Sequence, residues 1–114
     1  MAVPQTGYVQ GGPSAPSITI DEDSTLSRGH GGHIIEVDTS GASVTVILPG
    51  VAIAKGMEMV IWKSAAGNNL VLDGAGAETI DGATTLTGTA QYASICVVSD
   101  GTQWVSLTRR GSWT

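Results

Sequence analysis

The chain has 114 residues, a net charge of −5, 16 glycines, no phenylalanine and only 13% charged residues. That length suits one domain, and low charge with positive mean hydropathy excludes a disordered chain. The largest basic cluster, Arg109-Arg110, is too small for a phosphate-neutralising nucleic-acid surface; the single Cys96 rules out an intrachain disulfide; and no apolar run approaches the ~20 residues of a membrane helix.

Residues 1–16 (MAVPQTGYVQGGPSAP) contain three of the four prolines, Pro4, Pro13 and Pro16. Proline lacks the N–H that helices and central strands require, so this segment reads as an extended arm. It is either a loose terminus or an arm that orders against a neighbouring subunit, with Tyr8 and Val9 as its anchors. Its start has neither a basic n-region nor an apolar h-region, so no secretory leader is expected, and assembly in a cytoplasm is.

From Ser17 the pattern alternates with a period of two. Strands are expected over 17–20, 33–38, 43–48, 57–63, 70–72, 84–87, 91–99 and 103–108, with a further short piece at 78–80. Acidic residues 21–23, Gly-rich 29–32, Thr39-Ser40-Gly41-Ala42, Pro49-Gly50, the loop 65–69, and Asp-Gly at 73–74, 81–82 and 100–101 break the pattern. Residues 51–55 are the one helical candidate, a single turn or a bulged crossover. Eight or nine short strands at this spacing predict an all-β fold, a single jelly-roll-like β-sandwich of antiparallel strands. The division is an arm (1–16), a sandwich (17–108) and a polar tail (109–114). No long repeat is evident. The expected core is Ile18, Ile35, Val37, Val44, Val46, Leu48, Met59, Ile61, Leu70, Leu72, Ile80, Leu86, Ile95, Val97, Val105 and Leu107.

Catalytic parts are missing from this sequence. His30 and His33 are the only bases of the usual kind, and they flank Gly31-Gly32 without a triad motif. Glu78 and Asp81 read as solvated turn residues rather than an acid–base pair. His30 and His33, with Asp21, Glu22 and Asp23 upstream, are weak metal candidates without a second ligand pair, so no cofactor is expected. Cys96 reads as a buried, inert thiol. The chain is not expected to be an enzyme.

Surface aromatics are the remaining signal. By alternation Trp62 and Trp104 point away from Ile61 and Val105, onto outer faces where aromatics mark contacts, unless they cap the core. Trp113, in the polar tail with Arg109 and Arg110, is expected to dock on a partner, the arginines pairing with its acidic groups.

Residues 44–104 carry a distinctive order. A strand ends in Leu48-Pro49, followed by Lys55-Gly56 and an apolar strand ending in Lys63. Asn68-Asn69, Glu78-Thr79-Ile80-Asp81-Gly82, Gln91-Tyr92 and Ser99-Asp100-Gly101-Thr102 then precede Trp104. This resembles a β-rich module of tailed-bacteriophage virion proteins, as in small capsid decoration (cement) proteins and tail-fibre or other appendage proteins. The resemblance covers a little over half the chain and rests on turns and strands, not on site residues. It implies a structural virion protein and a symmetric homo-oligomer, a trimer before a dimer; one compact module without shaft repeats or a coiled coil then suits a decoration protein on the outer surface of the capsid, bound to the major capsid protein. The alternative it leaves is a tail-fibre, baseplate or other appendage protein with a receptor- or glycan-binding role, using Trp62 beside Asn68 and Asn69.

Overall fold

In strand after strand, one set of alternating side chains is apolar and shielded while the other faces outward. The computed structural model describes residues 15–114. Its strands are β1 (Ser17–Ile20), β2 (Ser24–Thr25), β3 (Ile34–Val37), β4 (Val44–Ile47), β5 (Glu58–Lys63), β6 (Leu70–Asp73), β7 (Thr85–Gly88), β8 (Ser94–Ser99) and β9 (Trp104–Arg110), with one 3-10 turn at Arg28–His30. The period-two pattern sends Met59 and Ile61 inward from β5, and Ile95 and Val97 inward from β8.

The chain is all-β, but its two sheets are mixed. One has the order β1-β3-β5-β8-β9 and the other β2-β4-β6-β7. The pairs β1–β3, β3–β5, β2–β4 and β4–β6 are parallel, which corrects the expectation of antiparallel, jelly-roll-like pairing. The physical reason lies in the breaks between strands. Residues 38–43 and 64–69 are corners rather than hairpin turns: each carries the chain from the five-stranded sheet to the four-stranded one. Residues 17–73 therefore wind as a flattened solenoid. Ile34 pairs with Val60 and Val44 with Leu70, an offset of 26 residues in both sheets, so a structural repeat exists where none was expected.

Successive corners are tied by side chains where the sheet ladders stop. The buried Thr39 hydroxyl donates to the Gly67 carbonyl at 2.6 Å, and Asn68 Nδ2 donates to the Thr39 carbonyl at 2.8 Å. Asn68 adopts φ 61°, a left-handed conformation that asparagine tolerates better than most residues. Lys63 ends β5 pointing inward and is fully buried, and its Nζ donates to the carbonyls of Ala65 and Gly67 at 2.5 and 3.1 Å.

The solenoid is closed by antiparallel strands. β7 pairs with β6, β8 with β5, and β9 with β8. Asp81-Gly82 makes a two-residue hairpin between Ile80 and Ala83, both turn residues having positive φ. The crossover at 51–56 makes one helix-like turn, with the Ala54 amide on the Gly50 carbonyl, then delivers the chain to β5.

Side chains from both sheets share one core that includes Ile35, Val46, Ile61, Leu72, Ile95 and Trp104. Burying each large apolar side chain contributes about 1.5–3 kcal/mol. The expected core is found except along its last strand: Val105 is half-buried and Leu107 is 55% exposed. Ile18 is also only partly buried, packed against the core.

Candidate interaction surface

The outer face of the five-stranded sheet carries a band of apolar side chains centred on β5 and β8. Register places Ser17, Ile34, Val60, Cys96 and Thr108 in one cross-strand row, apolar at its three middle positions. The next row holds Thr19, Glu36, Trp62, Ser94 and Arg110. A third, at the rim, joins Glu58, Val98 and Val105. Residues directly opposite on paired strands share a face, so these rows form one continuous surface. Leu107 joins it at a bulge. Cys96 pairs with Thr108 and Val97 with Ser106, which leaves Leu107 without a partner in the ladder.

The four-stranded sheet presents a different outer surface. Its rows read Thr45, Val71, Thr87 and Thr25, Ile47, Asp73, Thr85. Four threonines and an aspartate there offer polar atoms to water between the β-branched methyls.

Among the expected contact residues, Trp62 does lie on an outer face, where it is half-buried. Trp104 does not. It pairs with inward-facing Ser99, is fully buried, and its indole N–H donates to the Pro49 carbonyl at 3.2 Å. That inward start sets the parity of β9 and accounts for the exposure of Val105 and Leu107. Trp113 is also inside, 7% exposed, instead of on a docking surface. Its indole N–H is shared between the Ser94 and Arg110 carbonyls, and its ring lies on Gly88, where an added Cβ would come within 3.0 Å. Gly111, at φ 82°, reverses the chain so that Thr114 exchanges backbone hydrogen bonds with Thr87. Residues 111–114 thus seal the open end of the core.

The two arginines separate in role. Arg109 binds Asp81 at 2.6 Å, the only ion pair among the described residues, so its acidic partner is internal. Asp81 also accepts from the Ser106 amide at 2.8 Å and from the Ser106 hydroxyl. Burial pushes the Asp81 carboxyl up, but the Ser106 hydroxyl and amide and Arg109 outweigh it and hold the group below the ordinary carboxylate value. Arg110 is exposed on the outer face opposite Ser94. Tyr8 and Val9 lie outside the described residues.

His30 and His33 approach edge to face, with ring centroids 5.8 Å apart. His30 Nδ1 accepts from the Ser27 amide at 2.9 Å, which leaves the ring closing its own 3-10 turn. No group of three or more His, Cys, Asp or Glu side chains among the described residues is placed to hold a metal. Glu78 accepts from the Val51 amide at 3.0 Å, and so positions the crossover. Cys96 is half-buried on the outer face, not in the core; burial and then Glu58 raise its thiol, which keeps it protonated.

The Asp81–Ser106–Arg109 cluster and the Lys63 staple have no signal in the sequence, because their partners are distant or are backbone carbonyls. The apolar outer face did have one: Val60, Cys96 and Val98 stand at the positions that alternate with core residues. No protein-family model matches this chain, and no curated protein matches it significantly.

Proposed function

We propose that this chain is a non-enzymatic structural protein of a tailed-phage particle, a decoration protein that covers the outside of the head and stabilises the shell. The observation that carries the contact role is the apolar outer face of the five-stranded sheet, where Val60, Trp62, Cys96 and Val98 adjoin Ile34 and Leu107. Contiguous exposed apolar surface on a small protein marks a site of protein contact. The virion assignment is supported by the resemblance of residues 44–104 to phage decoration and appendage modules. Such a protein acts by mass action: binding the assembled shell better than free subunits stabilises it by the binding free energy.

The test is antibody labelling of intact particles viewed by electron microscopy. Label spread over the head is expected. Label confined to the tail or its tip would replace this reading with the appendage one, and unlabelled particles would overturn both. The glycan-site version of the appendage reading loses one of its side chains, because Asn68 spends its amide on the Thr39 carbonyl.

A further inference from the structure

We infer that the outer face of the five-stranded sheet binds a second copy of this chain, face to face, about a two-fold axis running along the strands between β5 and β8. The inference rests on reading this face as a contact surface. It adds what the partner is and how it is oriented.

The argument is one of self-complementarity. A two-fold interface brings each residue opposite a different one, and then repeats that pair in reverse. With the axis between β5 and β8, β5 lies over the partner's β8, and β3 over the partner's β9. In the row that holds Glu36, Trp62, Ser94 and Arg110, the carboxylate of Glu36 then faces the guanidinium of Arg110 in the other copy, twice. In the same row the large indole of Trp62 lies over the small Ser94. In the adjacent row Val60 lies over Cys96, apolar on apolar. Glu58 falls at the rim, beside solvent, where interfaces are ordinarily polar.

The charges within one copy favour this pairing. Glu36 has only a long 3.4 Å contact from the Thr19 hydroxyl. Arg109–Asp81 is the only ion pair among the described residues, so neither Glu36 nor Arg110 meets a counter-charge there. The two stand three strands apart on one face, with Trp62 and Ser94 between them in the row. Outer faces of two sheets pack roughly aligned about 10 Å apart, a distance these long side chains span.

The test uses the full chain, free of particles, in sedimentation-equilibrium ultracentrifugation. A reversible dimer is expected. Glu36→Arg and Arg110→Glu should each weaken its dissociation constant by about tenfold or more, through like charges set face to face. Combining them should restore it to within about threefold of the parent, as a direct pair requires. Both sites are on the outer face, and unchanged thermal melting of each variant would establish that folding is intact. A monomer at every concentration, a trimer, or a double variant no tighter than the singles would overturn the proposal. So would a chain that dimerises only after residues 1–14 are deleted, since the arm would then be the occupant. These measurements need no phage particle, so their failure leaves the labelling test of the virion reading untouched, and the reverse holds.

Discussion

The two sheets differ in what they show to the outside. The four-stranded sheet is apolar on one face only, and its outer rows are dominated by threonine. The five-stranded sheet carries apolar residues on both faces of its two middle strands, with Val60, Cys96 and Val98 outside and Met59, Ile61, Ile95 and Val97 inside. Threonine and valine share a branched shape and a preference for strands, so backbone demands do not explain the difference. What distinguishes the faces is where the hydroxyls stand: threonines run through the rows of the four-stranded sheet, whereas on the five-stranded sheet Val60, Trp62, Cys96 and Val98 gather on β5 and β8, with Ser94 the one hydroxyl among them and Ser17, Thr19 and Thr108 at the flanks. A sheet covered on one side needs alternation; a sheet covered on both reads as a near-continuous apolar run, as MEMVIW and SICVV do here.

The largest way to break this comparison is to remove what the sheets share. Trp104→Ala should cost about 3–5 kcal/mol in denaturant unfolding, because it empties the centre of the core and orphans the Pro49 carbonyl. Trp62→Ala, of equal size change, should cost the isolated chain less than about 1 kcal/mol; near-equal losses would mean that the outer face is part of the fold's stability. Trp113→Ala comes next, at about 2–3 kcal/mol, since the ring seals one end and is still 7% exposed.

Acid sensitivity is smaller and has a definite sign. Asp81 is held below its ordinary value when folded. The stability it contributes is complete above the unfolded carboxylate value near 4 and is lost as pH falls through the folded value. Asp81→Asn should flatten the fall of the urea midpoint below about pH 4; an unchanged acid limb would show that other carboxyls govern it. The smallest effects come from exchanging chemistry between the outer faces. Val60→Thr and Thr45→Val should each move monomer stability by no more than about 0.5 kcal/mol. Only Val60→Thr should weaken self-association in sedimentation.

Element by element, the strands were legible because alternation and the turn dipeptides Asp81-Gly82 and Asp100-Gly101 delimit them. Their pairing was not. A corner that changes sheets uses the same residues as a turn within one sheet, so the breaks at 39–42 and 65–69 do not say which strands they join. The 26-residue winding was written faintly, with Ile35 answering Ile61, Gly41 answering Gly67, and Val44 and Val46 answering Leu70 and Leu72. The 26-residue offset occurs in one step only, since the step before it pairs Ser17 with Ile34 and Ser24 with Val46 at shorter offsets, and a single equal step is too little for the pattern to stand out. Along β9 the expected core residues Val105 and Leu107 lie outside because Trp104 faces inward and sets the opposite parity, and the bulge changes that parity only from Thr108 on. Trp62 was placed correctly by period alone. Trp113 was misplaced because nothing local announces that Gly111 turns the chain back onto Gly88.

The Lys63 staple has a practical consequence for chemical labelling. The chain has two lysines, Lys55 exposed and Lys63 fully enclosed. An amine-reactive dye will therefore find one of the two side-chain amines and pass over the other until the corner at 64–69 opens. Burial also lowers Lys63 from the usual lysine range, so once released its amine returns to ordinary behaviour. The ratio of modification at Lys63 to that at Lys55, followed by mass spectrometry, becomes a built-in clock for how often the solenoid corner comes undone.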